Sequence, residues 1–138
     1  ALDEPYMDDA IRRTLAPHAG DVKLSVRFAV PRNRLTDNTA HGIICIIREL
    51  VLNAIRHGKA TSIQVAGCLD GNQLLFSVKD NGMGFDANKA PGIEQGHFGL
   101  QGIRERIKVF GGKLVLSSEP GKGTKAVVSI PLAATKRT

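Results

Sequence analysis

Glu49 and Asn53 stand four residues apart in a segment that reads as a helix, and Arg56 and His57 follow one turn later. On a helix, positions i and i+4 lie one above the other, so these side chains fall along or beside one stripe. A carboxylate and an amide oxygen at that spacing can share a hydrated hard cation, because Mg²⁺ takes oxygen ligands and keeps several waters while bridging to phosphates. Arg56 and His57 would then meet phosphate oxygens. The same four residues also fit a solvated helix face, with Glu49 and Arg56 seven positions apart.

Asp80 is a second candidate. It is in phase with Leu74, Phe76 and Val78, so the two-residue period of a strand carries its carboxylate to the core face, where an unpaired charge is costly. Asn81-Gly82-Met83-Gly84 follows, and its two glycines let backbone approach a ligand closely. An inward carboxylate at a strand end can accept a hydrogen bond from the exocyclic amine of a base. It can equally cap an Asp-Asn-Gly turn. Thr124, in phase with Ala126, Val128 and Ile130, turns its hydroxyl to the same face, where the two residues could contact a purine and an ordered water. Backbone amides at the start of a helix near Gly99 to Gln101 would make an anion site.

The elements that must position these residues follow from periodicity. A short helix is expected over residues 6–18, from the four-residue recurrence of Met7, Ile11 and Leu15, breaking at Pro17 and Gly20. A strand is expected over 22–30, closed by Pro31. Thr36 or Asp37 can cap a helix reaching His57, with Ile43, Ile46, Ile47, Leu50 and Ala54 as its core stripe and Gly58 as its stop. Strands over 62–69 and 74–80 meet across Asp70-Gly71-Asn72, a hairpin signal. A loop of lid-like length runs from Gly82 to Phe98, then a helix over 99–110 and strands over 113–117 and 124–130. Strands arriving as hairpins exclude a purely parallel sheet. The economical architecture is α+β: a mixed sheet with helices on one face.

Two better-known phosphate motifs fail on context. Gly82-Met83-Gly84-Phe85-Asp86-Ala87 matches a dinucleotide fingerprint, but Pro91 and further glycines stand where that motif needs a helix. Gly121-Lys122-Gly123-Thr124 resembles the end of a Walker A loop, yet Gly123 separates Lys from Thr and the segment leads into a strand.

The chain has 138 residues, 42% of them apolar, which suffices for one domain with a real core. Nineteen basic against thirteen acidic residues give a net charge of +6, so a polyanionic partner must be considered. With no Trp, one Tyr and scattered basic residues, the composition offers no stacking platform for nucleic acid. Cys45 and Cys68 lack metal-ligand spacing and read as buried thiols. No apolar run is long enough for a transmembrane helix, so no direct membrane contact is expected, and a cytoplasmic location fits. The start at Ala1, in mid-pattern, suggests a piece of a longer protein.

In combination the residues resemble the ATP-binding catalytic domain of bacterial sensor histidine kinases, in the GHKL ATPase and kinase superfamily. Arg48-Glu49-Leu50-Val51-Leu52-Asn53-Ala54-Ile55-Arg56-His57 resembles the N box and Asp80-Asn81-Gly82-Met83-Gly84-Phe85 the first glycine box. Gly96-His97-Phe98-Gly99-Leu100 with Gly102-Ile103-Arg104-Glu105-Arg106 resembles the second, and Gly121-Lys122-Gly123-Thr124 the third. The second box and the Arg56-His57 ending look most like the subgroup that pairs with LuxR-type response regulators.

The resemblance implies a two-layer α/β sandwich with a mostly antiparallel mixed sheet. It implies that Asn53 holds Mg²⁺ and that Glu49 orients or deprotonates the acceptor. Arg56 and His57 would lie near the phosphates, Asp80 would read the adenine amine with help from Thr124, and Gly82, Gly84 and Phe85 would shape the base pocket and its lid. Gly99 and Leu100 would bring amides to the phosphates. Residues 21–132 would be the catalytic domain, 1–20 a lead-in from a dimerisation and phosphoacceptor domain, and 133–138 a tail. Nothing before the first strand has the length, or the His-Asp or His-Glu signature, expected of the acceptor helix of such a kinase. ATP, Mg²⁺, the acceptor domain and a LuxR-type regulator are therefore the expected partners. The competing expectations are an anti-sigma-factor-like serine kinase and an ATP-gated conformational module.

Overall fold

The computed structural model describes residues 7–84 and 100–132. Helix α1 (Met7–Ala19) buries Met7, Ala10, Ile11 and Leu15, the side its four-residue recurrence defines. It continues two residues past Pro17, because a proline in the last turn removes only one helical hydrogen bond. The Arg12 guanidinium donates to the Val26 carbonyl at 2.6 Å and fastens α1 to strand β1 (Lys23–Phe28).

Helix α2 (Asp37–Arg56) starts at Thr36, whose hydroxyl accepts from the Thr39 amide at 3.1 Å. Such a cap is worth about 1 kcal/mol. Beyond the expected stripe, Ile44, Cys45 and Val51 are also buried, because α1 and α3 (Leu100–Val109) pack along the flanks of α2 while its face lies on the sheet.

Strand β1 pairs in parallel with β2 (Ser62–Asp70), and α2 supplies the crossover that a parallel pair requires. Strand β3 (Gln73–Asp80) returns antiparallel through a two-residue turn, with Asp70 opposite Gln73. Strands β4 (Lys113–Ser118) and β5 (Thr124–Pro131) form a second hairpin, and β5 inserts beside β3. The sheet order is β1-β2-β3-β5-β4. One side carries Phe28, Ile63, Val65, Phe76, Val78, Ala126 and Val128 into the core, with the Phe28 and Phe76 rings 5.9 Å apart. The other side presents Gln64, Lys79, Lys113 and Lys125 to solvent.

This is the expected mixed, mostly antiparallel sheet with helices on one face. Cys68 departs from expectation: it is exposed, because the phase that buries Ile63 and Val65 turns position 68 outward, whereas Cys45 is buried. No helix among the described residues is long and apolar enough to cross a membrane.

Candidate functional site

Five elements converge on one hollow of about 530 Å³, counting the part open to solvent. Its apolar lining comes from Leu50 and Ala54 of α2, Val78 of β3, Leu116 of β4, Ala126 of β5 and Leu100 at the start of α3. Its polar groups are Asn53 and His57 from α2, Asp80 at the end of β3 and Thr124 at the start of β5. A mostly apolar hollow with a few convergent polar side chains is the usual character of a small-molecule site.

The period-two argument thus delivers Asp80 and Thr124 to the same hollow. They are brought together because β3 and β5 are antiparallel neighbours whose register ends with Lys79 opposite Lys125, which sets Asp80 opposite Thr124. The Asp80 Oδ1 accepts the Gly82 amide at 2.7 Å, so this carboxylate both caps its turn and lines the cavity. Burial raises its pKa above the ordinary 3.8, and hydrogen bonds from the backbone of Gly82 and Thr124 oppose that rise only in part.

A pH dependence follows. With a folded pKa above the unfolded one, the native state binds more protons between the two values. That contribution to stability is fully present below 3.8 and is lost as pH rises through the raised value. Asp80→Asn removes the titration. Thermal melts from about pH 3.5 to about pH 7 are therefore expected to show the wild type losing stability relative to the variant as pH rises. A difference that does not vary with pH would contradict the assignment.

Thr124 Oγ1 lies 2.8 Å from Ser118 Oγ, and the Ser118 hydroxyl donates to the Gly123 carbonyl at 3.1 Å. With the Ser118 proton on Gly123, Thr124 is the donor of the pair, which leaves its lone pairs for a donor in the cavity. Ser118 belongs to no recognisable motif, and only its phase with Leu114 and Leu116 in β4 points to this face. Gly58, which also lines the cavity, was read only as a helix stop.

Gly84 lines the cavity, and with Gly123 it shows why the boxes need glycine. Gly84 has φ +66, and a Cβ there would strike the Glu119 carbonyl oxygen; Gly123 has φ +80, and a Cβ there would strike the Asp80 carbonyl oxygen. The exit of β3 and the β4–β5 turn are in backbone contact, with no room for a side chain.

Not every sequence candidate reaches the cavity. Glu49 is half-buried and Arg56 exposed, and neither lines it. Gly82 is buried behind the wall, against Gly58. Phe85 and Gly99, with the expected lid, lie outside the described residues.

The family described as histidine kinase-, DNA gyrase B- and HSP90-like ATPase matches residues 38–134, which include every element that lines the cavity. The chain belongs to this family. Membership in an ATPase family implies that the domain binds ATP. Among relatives, the nitrate/nitrite sensor protein NarQ of Escherichia coli is 37% identical over 133 residues, covering 93% of this chain and 23% of NarQ. The signal transduction histidine-protein kinase/phosphatase DegS of Brevibacillus brevis is 28% identical over 135 residues, covering 96% of this chain and 34% of DegS. The chain thus spans about a quarter to a third of the length of these relatives. The ATP-binding domain of PrrB from Mycobacterium tuberculosis superposes with a TM-score of 0.72 at 20% identity, over 91% of this chain and 93% of that one. The blue-light activated histidine kinase of Erythrobacter litoralis EL346 superposes at 0.75 with 24% identity, over 96% of this chain and 41% of that one.

Proposed function

We propose that this chain is the catalytic domain of a sensor histidine kinase: it binds ATP with Mg²⁺ and donates the γ-phosphoryl group to a histidine on a separate dimerisation domain. The observation that carries the proposal is the meeting of Asp80 and Thr124 with Asn53 and His57 around one cavity. Asp80, ionised, accepts the adenine amine, and the apolar lining excludes water from the base. Thr124 supplies a second polar contact on the same wall. Asn53, one turn before the end of α2, offers an amide oxygen to Mg²⁺, a hard cation that neutralises phosphate charge when bound. His57 lies one turn further toward the triphosphate, with Arg56 beside it.

Glu49, one turn before Asn53 and half-buried, stands where the acceptor imidazole would approach, to orient it or take its proton. Gly84 lines the base pocket and Gly82 backs its wall; the family resemblance assigns Phe85 to the same pocket, and the amides of Gly99 and Leu100 to the phosphates. Phosphoryl transfer depends chiefly on positioning and charge neutralisation, which so small a set of groups can supply. Residues 1–20 would lead in from the acceptor domain and 133–138 form a tail, on the cytoplasmic side of the parent protein. The phosphohistidine would then serve a LuxR-type response regulator.

The chain alone is expected to bind ATP·Mg²⁺ without acquiring phosphate. Adding the parent's dimerisation domain should give acid-labile, base-stable phosphate on that domain. Acid-labile phosphate on the isolated chain, or phosphoserine on the added domain, would overturn the proposal.

A further inference from the structure

Asn81 does not line the cavity, yet its side chain is held by three hydrogen bonds. Its Oδ1 accepts the amides of both Thr61 and Ser62, each at 2.9 Å, and its Nδ2 donates to Thr61 Oγ1 at 2.9 Å. Its own amide donates to the Ser62 carbonyl at 3.2 Å. These bonds join the residue after Asp80 to Thr61, in the connection between α2 and β2, and to Ser62, the first residue of β2.

That connection needs holding. Lys59 within it has φ 56, a left-handed conformation that side-chain-bearing residues seldom adopt. Immediately before it, Gly58 lines the cavity next to His57 and accepts the Met83 amide at 2.7 Å. Gly82 is pressed so close that a Cβ would lie 2.5 Å from the Gly58 carbonyl oxygen. Two walls of the cavity, the end of α2 and the end of β3, therefore abut through backbone alone, and the Asn81 amide bridges them from outside.

Asn81 is exposed. Water can replace its bonds when it is lost, so its net effect on folding is small, as for any solvent-accessible hydrogen bond. What water cannot replace is the fixed spacing. We propose that Asn81 is a positioning residue for nucleotide binding: its side-chain amide latches the α2–β2 connection to the end of β3 and sets the distance between Asp80 and Gly58. The inference rests on the cavity being the adenine site.

Calorimetry with adenosine and with ATP on the intact chain tests it. Asn81→Ala is expected to weaken both ligands alike, by roughly tenfold, while thermal unfolding shows a folded protein. Asn81→Asp keeps an acceptor for both amides, and the Thr61 hydroxyl can turn to donate to its second oxygen. This variant should hold adenosine within about threefold of wild type, and adenosine is the diagnostic ligand because the new charge repels a triphosphate. Should the alanine variant not fold, Asn81→Ser, too short to reach both amides, carries the same expectation. Wild-type adenosine affinity in Asn81→Ala or Asn81→Ser, or an equal loss in Asn81→Asp, would overturn the latch. Failure of the adenine assignment looks different: the wild-type chain would not bind ATP, or would bind it no better than Asp80→Asn.

Discussion

Asp80→Asn is expected to cost about a hundredfold in ATP affinity, the largest effect of any single substitution in the chain. The size follows from what the asparagine would present. Asp80 Oδ1 already accepts the Gly82 amide at 2.7 Å, so the second oxygen is what remains for the base. In asparagine the atom retained against Gly82 is the amide oxygen, and the group turned toward the cavity becomes an amide NH2. A donor then faces the donor amine of adenine, and a charge-assisted bond gives way to a repulsive contact. Titration calorimetry at neutral pH measures this directly, and an isotherm indistinguishable from wild type would remove Asp80 from the adenine site. The substitution also relieves a half-buried carboxylate whose charged form burial disfavours. Loss of binding without loss of the fold would therefore separate a functional group from a structural one.

Asn53→Ala is the second large effect, and its signature is selective. If the Asn53 amide oxygen contributes to holding Mg²⁺, the variant should match wild type for ATP in the presence of a chelator. It should then fail to gain the tightening that Mg²⁺ gives wild type, a loss of about tenfold. Equal weakening with and without Mg²⁺ would instead assign Asn53 to the nucleotide itself. Its position on α2 makes the contrast informative, because the flanking Leu50 and Ala54 pack in the apolar lining and keep the helix seated when the amide is removed.

Much of this architecture was legible in the residues because the periods are clean. Met7, Ile11 and Leu15 recur every four positions and are buried together; Leu74, Phe76 and Val78 alternate and carry Asp80 with them to the core side. Of the two caps that the sequence allowed, Thr36 and Asp37, it is Thr36 that caps the helix. Glycine spacing was readable as a requirement, though its cause was not: Gly84 is needed because the β4–β5 turn lies against it, 35 residues and more along the chain. The one misplaced thiol, Cys68, shows the same logic, since its strand's phase was available and the general tendency of cysteine to be buried was followed in its place.

The sequence by itself determined which groups are present and which face of each element they occupy, because backbone geometry converts spacing into direction within one helix or strand. It determined Asp80 and Thr124 as inward-facing and Asn53 and His57 as neighbours on one ridge. Only the tertiary structure decided which of them meet. Insertion of β5 beside β3 sets Asp80 against Thr124, and the packing of α2 between α1 and α3 fixes its rotation on the sheet. That rotation brings Asn53 and His57 into the cavity while Glu49 and Arg56, on the same stripe, stay outside it. The approach of Gly58 to Gly82, with Asn81 bridging the gap, belongs to the same class of fact. Such contacts join residues nineteen or more positions apart, and no local period encodes them, since they depend on how separate elements fill shared space.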